Sequence, residues 1–338
     1  MARSSVSLRF LVATAILALV PLVGGWWAWE GQGPLQQPAT VLVLKGMSIN
    51  QLAEQMERQG VIRSAALFEL WARARELRLI RGEYTIAPRA SLADVAGKLR
   101  RGEIHYTSVV VPDGITGWSL ERRLQGFMPA GVFWKLWHSP NLARAAGFPD
   151  APDLEGLVAP ATYRLNHAME PEEIMLLLVD AFRREVRPHL DGGVLPPYQT
   201  LILASLVEKE THLPDELPRV AGVYLKRLRM GMRLQCDPTS LYARWEAGDL
   251  RFTPPTPDDI HRPSPFNTYT MAGLPPTPIA IPSAASIAAA REPQVGKDLY
   301  FVATGLGGHV FARTLSQHNR NVEAYRRELA KQRRLLHG

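Results

Sequence analysis

The pattern of apolar and polar positions changes period several times between residues 41 and 103. Val41–Leu44 is a short continuous apolar run and predicts a strand. Ser48 opens a helical pattern in which Leu52, Ala53 and Met56 share the inner face. Gln51 completes a capping box and Gly60 ends the helix. Ser64 caps a second helix, with Leu67, Leu70 and Trp71 as anchors. Glu83–Ile86 predicts a second strand. Ser91 caps a third helix with Asp94 at its third position, and Gly102 ends it. Residues 41–103 therefore read β-α-α-β-α, a small α/β module.

Further along, Thr107–Val111 is a β-branched strand closed by the turn Pro112-Asp113-Gly114. Residues 116–190 read as mainly helical, interrupted at 155–160. Pro196-Pro197 marks a boundary before a strong helix, Gln199 to about His212, and a second from about Glu216 to Met230. Nine prolines in residues 253–282 exclude regular structure throughout that stretch. Phe266-Asn267-Thr268-Tyr269 and Gly273-Leu274-Pro275-Pro276 within it predict a shaped loop rather than a linker. Tyr300–Ala303 and His309–Arg313 form a hairpin across a Gly-rich turn, and a basic helix closes the chain.

Phe10 to Trp29 carries no charge and is long enough to cross a bilayer core as a helix. Arg3 and Arg9 precede it, and no Lys or Arg follows until Lys45. The positive-inside bias then places residues 1–9 in the cytoplasm and the remainder outside. A cleaved signal peptide would want a small-x-small site, and Gly-Gly-Trp-Trp-Ala-Trp-Glu is a poor one. The expectation is an uncleaved single-pass anchor over 10–29, followed by a tether over 30–40.

Composition narrows the classes. With 46% hydrophobic and 21% charged residues, 338 residues cannot be a disordered chain, and they suffice for one large or several small domains. The single cysteine, Cys236, excludes an internal disulfide framework and a multi-cysteine zinc site. The formal net charge is +7, but residues 313–338 hold seven Lys or Arg against two Glu, a local excess of +5. An excess that sits mostly in one terminal helix reads as a solvated face, so no nucleic-acid partner is expected.

The most informative segment for chemistry is Leu201–Leu213. At helical spacing Leu203, Leu206, Val207, Glu210 and Leu213 fall on one face. A carboxylate set among apolar residues is costly when ionised, so its pKa rises and suits a general acid near neutral pH. The competing reading of Glu210 is a helix-end residue paired with Arg219 or Arg227. Glu208 points to the opposite face and reads as a surface partner for Lys209 or Lys226. Further polar candidates are Gln235, Asp237, Thr239, Tyr242, Asn267, Tyr269, Thr270, His309, His318 and Asn319. His309 and His318 lack ligand spacing, so no metal is expected. Cys236 has no adjacent His, Ser205 lacks a nucleophile elbow, and no phosphate loop is present, so no cofactor is expected either.

Five ordered motifs carry a resemblance. They are Leu206-Val-Glu208-Lys-Glu210-Thr, Val220-Ala-Gly-Val-Tyr-Leu-Lys-Arg227-Leu and Gly231-Met-Arg-Leu-Gln235-Cys-Asp237-Pro-Thr239. Phe266-Asn267-Thr268-Tyr269 with Gly273-Leu-Pro-Pro and Ile279-Ala-Ile-Pro follows, and then Gly308-His309-Val-Phe with His318-Asn319. Together they resemble the MltG (YceG-like) endolytic murein transglycosylases. The resemblance implies an α+β protein with one transmembrane helix and a LysM-like module over 41–103. A connecting part over 104–198 would lead to a catalytic domain over 199–330 with a lysozyme-like active helix, and a basic tail over 331–338 would end the chain.

It implies an inner-membrane lyase whose catalytic part is periplasmic and acts on the glycan strands of peptidoglycan. Glu210 would be the single acid, and Gln235, Asp237, Thr239, Asn267 and Tyr269 would line the cleft. Cell-wall synthesis or division proteins are plausible partners for such a family. Cys236 departs from the usual threonine, and Leu217 from a common arginine after Glu216. The alternatives are a non-catalytic membrane-anchored peptidoglycan-binding or division-scaffold protein, and a hydrolase using Glu216 or Asp237 as a second carboxylate.

Overall fold

The structure is a computed structural model that describes residues 29–251 and 253–337. Residues 10–28 of the expected membrane span lie outside the described residues. Among the described residues no helix is long and apolar enough to cross a membrane. The chain divides into two units. One comprises residues up to Ser108 together with Arg164–Glu170; the other comprises Val109–Tyr163 and Pro171 onward.

In the first unit the elements are β1 (Ala39–Val43), α1 (Ile49–Arg58), α2 (Ala65–Ala74), β2 (Gly82–Ile86) and α3 (Leu92–Arg101). β1 and β2 pair antiparallel, Ala39 opposite Ile86 and Val43 opposite Gly82. The caps sit where the sequence signals them. Ser48 and Gln51 form the capping box of α1, Ser64 caps α2, and Ser91 with Asp94 caps α3, which ends at left-handed Gly102. Leu52, Ala53 and Met56 enter a core with Val41, Phe68, Tyr84 and Leu99. Leu70 does not: it is 69% exposed, and α2 instead buries Ala65, Phe68 and Ala72. Those three recur at the i, i+3, i+7 spacing of one face, which Leu70 misses. The expected tether is seated on this unit. Leu35 is in the core, and Gly33 and Leu35 both exchange backbone hydrogen bonds with Arg89. Trp29 stacks near Trp71 at 5.3 Å.

β3 (Thr107–Val111) pairs with β4 (Ala161–Leu165), and the chain passes between the units within these strands. β4 falls in a stretch expected to be helical. Its alternation, with Tyr163 and Leu165 buried and Thr162 and Arg164 exposed, is the period of a strand.

The second unit is mostly helical. It contains α4 (Gly117–Leu124), α5 (Ala130–Trp137), α6 (Pro140–Ala145), α7 (Pro171–Glu185) and a 3-10 turn at Arg187–Leu190. Then follow α8 (Pro197–Glu210), α9 (Leu217–Arg229), α10 (Asp237–Glu246), α11 (Pro257–His261) and α12 (Ala284–Arg291). The hairpin β5 (Tyr300–Ala303) with β6 (His309–Ala312) and the long α13 (Leu315–His337) end the chain. α13 runs unbroken through position 331, where a separate tail was expected.

α8 is the central element, with α9, α10 and α12 packed around it. Every residue from Thr200 to Glu208 is buried. A helix buried on all sides has no outward face, so the amphipathic reading of this segment fails. Thr211 is extended and ends the helix, which takes Leu213 off the expected face and leaves it 44% exposed. Gly222 in α9 lets the chain at Gln294 cross close by: a Cβ there would lie 2.0 Å from the Gln294 carbonyl oxygen.

Candidate active site

The last residue of α8 opens onto a cleft of about 470 Å3 within the second unit. Glu210 lines that cleft together with Gln235, Asp237, Tyr269, Arg227, Tyr300, His309 and His318. Tyr224, buried in α9, donates its hydroxyl to Glu210 Oε1 at 2.6 Å. The Cys236 thiol is a second hydrogen-bond neighbour of the same carboxyl. Burial raises the Glu210 pKa, and the charge of Asp237 raises it further. The hydrogen bonds from Tyr224 and Cys236 and the field of His309 oppose the rise without cancelling it. This is a carboxyl biased toward its protonated form and fixed by one short hydrogen bond.

The arginine pairing does not occur. Arg219 binds Asp298 and lies over the Phe311 ring, 3.9 Å from its centroid. Arg227 donates to the carbonyls of Leu299 and Leu234, each at 2.7 Å. It thereby ties the start of β5 to the loop before α10, and its guanidinium stands over Tyr300. Tyr300 in turn stacks on His318 at 5.2 Å. Burial lowers the pKa of His318, with the Arg227 charge adding to it.

Gln235 adopts a left-handed backbone, φ +52°, which is rare for a residue with a side chain and marks a constrained position. Its N–H bonds Thr268 O at 3.1 Å. Asp237, in the first turn of α10, accepts a hydrogen bond from the Tyr269 hydroxyl, so one cleft residue fixes another.

Thr239 and Asn267, both expected in the cleft, do not line it. Both are fully buried. Thr239 Oγ1 donates to Cys236 O at 2.6 Å and accepts from Thr268 N at 3.1 Å. Asn267 Nδ2 donates to the carbonyls of Asp259, Ile260 and Arg262, and its Oδ1 accepts from Tyr269 N. Their work is to fix the two loops that present Gln235, Asp237 and Tyr269. The buried ion pair Arg244–Asp259, 2.9 Å, anchors the same proline-rich region.

Glu208 is the largest correction. It is not a surface residue: it is 5% exposed, and its Oε2 accepts from Ser283 N, Ser283 Oγ and Ser286 Oγ at 2.6–2.9 Å. The expected partners bind elsewhere, Lys209 to Gly114 O and Lys226 to the carbonyls of Gly296 and Lys297. Glu208 therefore holds the start of α12 against α8. Glu216 is similarly committed. His309 contacts it through its backbone N–H and Nδ1, each at 2.7 Å, and holds its carboxyl below the ordinary range against the effect of burial.

Sequence reasoning did not single out Tyr224 for the site. The signal was present: Tyr224 and Arg227 are three apart on α9, hence on one helical face.

Residues 41–324 match the YceG-like family. A protein of Streptococcus pneumoniae serotype 2 (strain D39 / NCTC 7466) named endolytic murein transglycosylase is 24% identical over 352 residues, 93% of this chain. One of the same name from Bacillus subtilis (strain 168) is 33% identical over 179 residues, 51% of this chain. The chain spans 64% and 48% of those relatives' own lengths. The crystal structure of a yceG-like protein, lmo1499, from Listeria monocytogenes superposes with a TM-score of 0.56 at 27% identity. That superposition covers 84% of this chain and 98% of the Listeria chain.

Proposed function

Because the chain belongs to the YceG-like family, we propose that it is an endolytic lytic transglycosylase of peptidoglycan with Glu210 as its single acid. The observation that carries the reading is the state of Glu210. It is a carboxyl on a cleft, desolvated enough to hold a proton and oriented by Tyr224. The relatives' printed name, endolytic murein transglycosylase, supports the substrate and reaction class.

In this reading protonated Glu210 donates to the glycosidic oxygen between N-acetylmuramic acid and N-acetylglucosamine. The C1–O bond breaks and the leaving sugar departs with that proton. The carboxylate then takes the proton of the muramoyl 6-hydroxyl, whose oxygen closes on C1 as a 1,6-anhydro ring. No water is consumed, so no second carboxylate is required. Gln235, Asp237 and Tyr269 position the sugar hydroxyls and acetamido groups, and cuts within nascent strands set their length.

The same proposal has residues 10–29 anchoring the protein in the cytoplasmic (inner) membrane of the cell, with residues 1–9 cytoplasmic and the rest periplasmic. The uncharged run and the distribution of Arg and Lys support it. The first unit is LysM-like in this reading, supported by its β-α-α-β-α order.

The test is mass spectrometry of muropeptides after intact peptidoglycan is digested with the full chain in maltoside micelles. Anhydro-muramoyl ends are expected from the wild type and not from Glu210→Gln. Hydrated reducing ends would make it a hydrolase. No cleavage by folded wild type would favour a binding or scaffold protein.

A further inference from the structure

A second cavity of about 250 Å3 lies in the second unit, lined by Trp118, Trp134, Trp137 and Tyr242, by three carboxyls, Asp153, Glu155 and Glu246, and by His138. It shares no lining residue with the Glu210 cleft. We propose that this cavity binds the head group of an organic cation, an alkylammonium, between indole faces and carboxyls.

The walls favour a cation. Trp118 meets Trp134 at 5.9 Å and 52°, and Tyr242 at 5.1 Å and 66°. Trp134 meets Trp137 at 6.2 Å and 78°. Rings set steeply to one another form a box rather than the single flat platform on which a sugar ring stacks. Aromatic boxes of this kind hold ammonium groups through the negative faces of the rings.

The carboxyls favour it too. Glu155 is 1% exposed. Its Oε2 accepts from Gly117 N at 3.0 Å and from the Tyr242 hydroxyl at 3.1 Å, while Oε1 has no hydrogen-bond partner. A buried carboxyl oxygen left unmatched in the wall of a cavity is costly unless a ligand meets it. Burial pushes Glu155 up to about 8, with Asp153 and Glu246 adding to the rise. Burial raises Asp153 and Glu246 as well; the charge of Asp153 adds to the rise of Glu246, and the neighbouring His138 opposes both. Asp153 thus raises both Glu155 and Glu246, and the cationic side chains near this acidic wall are His138, which lines it, and Lys209, whose ammonium feels the charge of Glu155. Gly117 is part of the construction. A Cβ there would lie 2.7 Å from the Trp137 ring, so glycine lets the backbone N–H reach Glu155 beside the indole.

The test uses the full chain in maltoside micelles and saturation-transfer NMR. The probes are choline, its uncharged isostere dimethylbutanol, the tripeptide Ala-Lys-Ala and the same tripeptide with norleucine for lysine. Saturable binding of a cationic probe is expected, with its neutral counterpart about tenfold weaker or more. Binding should release a proton from Glu155 near pH 7, seen as a buffer-dependent heat that Glu155→Gln abolishes. Glu246→Gln, at an exposed rim position, should weaken binding severalfold in a fully folded protein. Choline alone binding assigns a free small cation, and tighter binding of the lysine peptide assigns a peptide-borne amine; either supports the proposal. Equal binding of the neutral isosteres, no saturation by either cation, or unchanged binding in Glu246→Gln would overturn it. Cleavage by Glu210 is a separate readout, so failure here leaves the transglycosylase reading intact.

Discussion

Glu208 commits one oxygen to three donors from Ser283 and Ser286, whereas Glu210 is met by the Tyr224 hydroxyl and the Cys236 thiol and opens on the cleft. The same side chain is thus fully committed to its neighbours at one position and faces a cleft two residues later. Tyr224→Phe removes a hydrogen bond that favours ionised Glu210, so the Glu210 pKa rises further. The alkaline limb of the pH–rate profile should therefore move to higher pH, while kcat falls roughly tenfold as the carboxyl loses its orientation. Glu155 gives a second expectation. Its pKa is raised from an ordinary 4.5 to about 8, so the folded state holds a proton that the unfolded state has lost between those values. Stability from this group is complete below about pH 4.5 and declines as pH rises towards 8, by about 1.4 kcal/mol per unit. Glu155→Gln should flatten that slope in thermal melts across the same window. At this scale the sequence motifs pointed to Glu210, Gln235, Asp237 and Tyr269. The helical-face argument that separated Glu210 from Glu208 rested on a surface that α8 does not have. Thr239 and Asn267 sit in the right motifs but face inward, and motif position carries no information about which side of a loop a side chain occupies.

α8 is held along its length by neighbours, so damage at one contact is felt by the element. Glu208→Gln should lower stability by about 2 kcal/mol, because an amide oxygen is a poorer acceptor than a carboxyl oxygen for three donors converging on it. Glycan cleavage should persist below the reduced melting temperature, which an activity assay beside a melt will check. Gly222→Ala forces α9 away from the chain at Gln294 and should cost about 2–3 kcal/mol. Faster hydrogen exchange localised to residues 293–295 and α9 is the expected signature. Elements with strong local signals were legible. The three capped helices of the first unit and the C-terminal hairpin need only residues close in sequence. β4 was not legible, because five residues of alternation sit among helical segments. Nor were α10, α11 and α12, which are short and flanked by prolines.

At the scale of the whole molecule, the sequence suggested a linear series of modules, and the structure interleaves them. Residues 164–170 belong with the first unit although they follow part of the second. Local pattern cannot disclose this, since it depends on which distant segment a strand finds. Within the first unit Glu83 takes His167 as its partner, through both the backbone N–H at 3.0 Å and Nδ1 at 2.7 Å. His167→Ala in the intact chain should therefore lower the stability of the first unit by about 1–2 kcal/mol, seen as faster hydrogen exchange in β2. The interleaving also orders events during synthesis. A ribosome that has released the chain only as far as Ser108 has made every helix of the first unit but not the segment that completes it. That unit must wait for Glu170, and for all of residues 109–163 before it, so its completion is timed by the emergence of its neighbour.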